Sequence, residues 1–166
     1  MTLSYAIITR PLNPQIADPA TGRIRSEWLA FFDKLVPVVN ATMAAGITGG
    51  SIGFAISGGG SVLTTGVKGS LRIPYACTIT GAYLLADQNG DIQIDIWKDS
   101  YGNYPPTNAD SITASAPLTL SGAIQATDTT LTGWTTSISA GDIIYFNIDS
   151  VANIRRVEIS LDVTRS

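Results

Sequence analysis

Apolar residues along this chain follow two different periods, and the change falls near residue 50. Upstream, Trp28, Leu29, Phe32, Leu35 and Val36 recur at i, i+1, i+4, i+7 and i+8, the spacing of one helix face. Ser26 offers an N-cap, Glu27 sits well in a first turn, and Pro37 predicts the end, because proline has no N–H to give the turn before it. Before this helix, Pro11, Pro14 and Pro19 predict an extended arm over residues 1–25. After it, Ala44, Ala45, Gly46, Gly49 and Gly50 predict a flexible linker over residues 41–50.

Downstream the period becomes two. Ile52, Phe54 and Ile56 alternate with small residues up to the Gly58-Gly59-Gly60 break, and a second strand covers Val67–Ile73, stopped by Pro74. The runs Thr78–Ala86 and Asp91–Lys98 are joined by Asn89-Gly90, a pair whose tolerance of positive φ predicts a tight hairpin. Weaker strands are expected at Ile112–Leu120 and Leu131–Thr136, and stronger ones at Ile143–Asp149 and across Val157, Ile159, Leu161 and Val163. About eight short strands separated by turns predict a mainly β chain, an antiparallel jelly-roll-like sandwich over residues 51–166, with the arm and helix over 1–40. No repeat of 20–50 residues is visible, which disfavours propellers and solenoids.

Composition adds an expectation of self-association. Charged residues make up 14% of the 166, against about 25% in an ordinary soluble domain, so sister copies are expected to cover part of the surface. The net charge of −3, with no basic cluster larger than Arg155-Arg156, argues against nucleic acid as a partner. No apolar run approaches the roughly 20 residues of a membrane span, and the N-terminus lacks the pattern of a secretion signal, so synthesis in a cytoplasm without membrane insertion is expected. Cys77 is alone and reads as a small buried hydrophobe.

The chain has no histidine, which removes the usual general base of serine and cysteine nucleophiles and the commonest transition-metal ligand. Asp87, Asn89 and Asp91 have part of a calcium-loop spacing, but the later glutamate is missing and the setting is a hairpin, so they read as a type I′ turn with solvated flanking carboxylates. Asp95, Asp99, Asp110, Asp142, Asp149 and Glu158 show no pairing of the kind glycoside hydrolysis needs, and alternation turns Asp95 to solvent. The segment around Gly58–Gly69 is not a phosphate loop, since no glycine directly precedes Lys68. No catalytic residue, cofactor or metal is therefore expected, and the chain reads as non-enzymatic. The long polar loop over residues 99–111 is the candidate ligand-facing segment: Trp97, Tyr101 and Tyr104 could stack on a sugar ring while Asn103, Asn108 and Asp110 hydrogen-bond to it. The competing reading has these rings covering the sandwich edge or a neighbouring subunit. Trp134 reads as a core residue.

Two stretches carry a resemblance. RPLNPQIADPATGRIRSEWLAFFDKL, residues 10–35, resembles the short N-terminal module of tailed-bacteriophage virion proteins, in which a proline-containing arm precedes a Trp/Phe-bearing helix. The runs GSIGFAISGGGSVLTTGVKGSLRIPYACTITGAYLLAD, IDIWKDSYGNYPPTNADSI and LTGWTTSISAGDIIYFNIDS resemble the distal β-sandwich of small phage proteins. The resemblance implies a homotrimeric virion protein, assembled in the host cytoplasm, whose residues 1–40 dock on other virion proteins through Trp28, Phe31, Phe32 and Leu35. Positions open to it are a short tail or baseplate appendage or tail-fibre-like protein, with host-surface adhesion, and a capsid decoration or head fibre. A carbohydrate-binding module, with a host surface glycan as partner, shares the same sandwich class. No fibrous shaft separates helix from sandwich, which favours a short appendage.

Overall fold

The change of period near residue 50 marks a change of unit. The computed structural model describes residues 15–45 and 48–165, and the chain divides into two units, Met1–Gly46 and Ile47–Ser166.

In the first unit, residues 1–14 of the expected arm lie outside the described residues. The part that is described folds back on itself instead of extending. Ala17 and Ile24 form an antiparallel bridge, and Asp18 Oδ1 accepts the N–H groups of Ala20 and Thr21 at 2.9 and 3.0 Å. Asp18-Pro19 supplies the aspartate and following proline that a β-turn favours at its first two positions, so this proline bends the chain. Helix α1 then runs from Ser26 to Ala45, beyond the end expected at Pro37. The Leu29 N–H bonds to the Arg25 carbonyl, so Arg25 takes the N-cap place and Ser26 is already helical. Pro37 lies inside the helix, where it leaves the Asp33 carbonyl without its usual donor. Of the linker expected over residues 41–50, 41–45 complete the helix, as three alanines favour, and Gly49 and Gly50 open the first strand.

The second unit is mainly β: seven strands among the described residues, all pairings antiparallel, in one curled sheet compatible with a sandwich. The strands are β1 (Gly49–Ser57), β2 (Gly66–Arg72), β3 (Cys77–Asp99), β4 (Leu118–Asp128), β5 (Ser137–Ile138), β6 (Ile143–Ala152) and β7 (Arg156–Arg165). The 23-residue β3 organises the rest. Its first half pairs with β7, which pairs with β1; its second half pairs with β6, which pairs with β2; β4 follows its other edge along both halves. The curl brings the halves face to face, as the stacked rings of Phe54 on β1 and Phe146 on β6 show, with centroids 4.5 Å apart.

The hairpin expected at Asn89-Gly90 does not form, because both residues lie within β3. Gly90 is absent from the positive-φ residues, and a Cβ there would stand 2.5 Å from the Ala152 carbonyl oxygen and 2.8 Å from Ile154 Cγ1. Glycine is needed at this position for close packing. A bulge between Ile79 and Gly81 moves the inward set of β3 from odd to even residues: Cys77 and Ile79 before it, Ala82, Leu84, Ile92, Ile94 and Ile96 after it, all buried. Val157, Ile159, Leu161 and Val163 face the same core from β7, and Ile144, Phe146 and Ile148 from β6. Fully burying each such side chain contributes about 1.5–3 kcal/mol. The strand expected at Leu131–Thr136 is replaced by a turn in which Asp128 Oδ1 accepts the Thr130 and Leu131 N–H groups. Trp134 packs into the core, donating its indole N–H to the Ala116 carbonyl at 2.8 Å.

Candidate functional site

The outer face of the β2-β6-β3 half is where strand register gathers polar and aromatic groups. Ser70, Tyr145 and Trp97 stand in one row across three strands, and Arg72, Ile143 and Asp99 in the next. Above these rows runs the chain after β3, which makes two short 3-10 turns at Tyr101–Asn103 and Asn108–Asp110. Its polar residues hold the loop itself. Asp99 Oδ1 accepts the Ser100 N–H at 2.6 Å and the Asn103 side-chain amide at 3.1 Å. Asp110 Oδ2 accepts the backbone N–H and the hydroxyl of Thr107, both at 2.8 Å, and the backbone bond foremost holds its carboxyl below the ordinary value.

This bracing sets the two loop tyrosines over the sheet. Tyr104 meets Tyr145 edge-on, with centroids 5.8 Å apart and planes at 82°. A hydrogen bond with Tyr104, more than burial, raises the Tyr145 phenol above its ordinary value. Between loop and strands lies an open groove of about 350 Å³, lined by Ser70, Arg72, Tyr101, Tyr104 and Ile143. Tyr101 and Tyr104 are 71% and 56% exposed, so neither is a core residue of this unit.

Of the six residues expected to face a ligand, the structure brings Tyr101 and Tyr104 to this groove. Trp97 donates its indole N–H to Asp95 Oδ2 at 2.6 Å. Asn103 and Asp110 brace the loop, and Asn108 opens its second turn, outside the groove lining. Ser70, Arg72 and Ile143 carry no mark in the sequence beyond a lone arginine at a strand end, because their placement depends on which strands become neighbours.

Asp95 is buried, where alternation turned it to solvent. It does lie on the outer face, but it accepts hydrogen bonds from Trp97, from Ser111 Oγ at 2.7 Å and from the Thr113 hydroxyl, and those partners close over it. Asp149 nearby has its carboxyl pushed up, by burial first and by the Asp95 charge second. Asp87 Oδ1 accepts the N–H groups of Arg155 and Arg156, and Asp91 Oδ1 that of Gly122, so these carboxylates serve the backbone. No group of three or more metal-ligating side chains occurs among the described residues.

On the first unit, Trp28 is buried and Phe31, Phe32 and Leu35 are half-buried. The three rings pack together, with centroids 5.6–5.9 Å apart. Leu29, Val36 and Val39 are exposed on α1, and Leu29, Phe32, Val36 and Val39 follow the 3-4-3 spacing of a coiled-coil seam. No helix among the described residues is long and apolar enough to cross a membrane.

Fold and site together define a two-unit chain: an apolar-striped helix, and an all-β unit with an open tyrosine-lined groove. No protein-family model and no curated protein matches it. Among solved structures, a chain of the cyanophage Pam1 capsid asymmetric unit is similar over 73% of this chain and 89% of that one, at 14% identity and a TM-score of 0.27.

Proposed function

We propose that this chain is a non-enzymatic structural protein of a phage particle, a homotrimer whose helix unit joins the copies and docks them on other virion proteins while the β unit faces outward. The observation that carries it is the apolar stripe of α1. Leu29, Val36 and Val39 are exposed at 49%, 51% and 42%, in a chain whose surface has few charges to keep such a stripe in water. Covering it by two sister helices buries what one helix of 20 residues leaves open. A short tail or baseplate appendage or a capsid decoration is the position such a protein would take.

Lack of turnover is supported by where the acids stand. Asp95 is buried and accepts three hydrogen bonds, several others bind backbone N–H groups, and no histidine is available as a base. Sedimentation of the purified chain should give a trimer, and changing Leu29, Val36 and Val39 together to Ser should give a monomer with an intact β unit. A wild-type monomer at high concentration would refute the proposal. The groove favours a second, compatible reading as a carbohydrate-binding unit, since exposed tyrosines beside an open groove that also presents Ser70 and Arg72 suit a sugar ring.

A further inference from the structure

The polar lining of the groove decides what kind of sugar it suits. We propose that it is a site for an acidic saccharide, in which Arg72 holds a ring carboxylate while Tyr101 and Tyr104 cover the ring's apolar face. The assignment rests on the carbohydrate-binding reading above and adds the charge of the ligand. The loop's Asn103 and Asp110 bond to Asp99 and Thr107 and stand outside the groove lining. What lines the groove is one serine hydroxyl, two phenols and the Arg72 guanidinium, the single charged group and one that can only donate, so an anionic substituent on the ring is what this lining adds to ordinary sugar binding.

Arg72 is free for that role. The ion pair among the described residues is Lys98–Asp142, and Arg72 makes none. The carboxylate nearest to it in its row, Asp99, stands beyond Ile143, with Oδ1 turned to the Ser100 N–H and the Asn103 amide. Arginine's planar fork matches a carboxylate with two parallel hydrogen bonds. Ile143, itself buried, gives the groove an apolar floor, and Tyr145 fixes the Tyr104 ring edge-on, so the stacking surface is set before a ligand arrives. The volume of about 350 Å³ lies at the small end of ligand sites and suits a short stretch of saccharide.

The test is calorimetric titration of the full chain with tetragalacturonate, with its fully methyl-esterified form, and with inorganic phosphate as competitor. The acid should bind about tenfold or more tightly than the ester, as loss of a charge-assisted bidentate contact implies. Arg72→Gln should erase that difference, Arg72→Lys should keep part of it, and Tyr104→Ala should weaken both ligands. Circular dichroism melts check that each variant is folded. Equal binding of acid and ester overturns the acidic assignment and leaves the carbohydrate reading standing. Binding of neither overturns both, and displacement of the acid by an equal concentration of phosphate would make this a simple anion site and overturn the saccharide assignment.

Discussion

Gly90 and Asp87 show how a residue's job follows from its neighbours. Gly90 was expected to supply positive φ in a hairpin, yet its backbone is extended and its missing side chain makes room for the Ala152 carbonyl. Gly90→Ala should therefore cost about 1–3 kcal/mol in urea unfolding by overpacking, while Asn89→Ala should be nearly neutral. A type I′ turn would have made both costly. Asp87 holds the β6–β7 connection through the N–H groups of Arg155 and Arg156, and the Arg156 bond foremost lowers its carboxyl below the ordinary value. The unfolded chain then takes up the proton more readily than the folded one. The stabilisation is complete above the ordinary carboxylate range and is lost as pH falls through the folded value. Asp110 and Asp128 act in the same direction, and Asp149, pushed up by burial, opposes them. The urea midpoint should fall between about pH 5 and pH 2, and it should fall less in Asp87→Asn.

Among the elements, helix α1 and strand β3 both outrun the punctuation in the sequence. Pro37 removes one hydrogen bond and strains one turn, a local cost of about 3 kcal/mol, but alanines at 41, 44 and 45, the best helix formers, carry the helix on beyond it. Pro37→Ala should restore the bond to the Asp33 carbonyl and retain more helical signal at 222 nm on heating; unchanged melting of that signal would show that the proline costs the helix nothing. In β3, a turn-forming pair is overridden because β4 and β6 flank the residues around it and supply ladder partners on both edges. Strands at Val67–Ile73, Ile143–Asp149 and Val157–Val163 were legible because apolar residues fall at regular spacing within one run. The weaker run at Leu131–Thr136 forms no strand because Asp128 bonds locally to the chain and competes with a ladder.

For the whole molecule, the division into Met1–Gly46 and Ile47–Ser166 separates the proposed work of assembly from that of binding. A chain starting at residue 47 should keep the near-ultraviolet signal of Trp134 and melt cooperatively, since the β core draws its residues from Ile52 onward. It should also sediment as a monomer. A truncated chain that is unfolded, or still trimeric, would contradict that division of labour. The sequence by itself determined the mainly β class, the helix near residue 28, most strand positions and the two loop tyrosines, because each is written in short-range periodicity or composition. Tertiary structure alone decided that β3 runs unbroken through both halves of the curl, that Asp95 is buried on an outer face, and that Ser70, Arg72 and Ile143 meet the loop. Those outcomes depend on which strands become neighbours across 44–82 residues of chain, and local spacing holds no record of that choice.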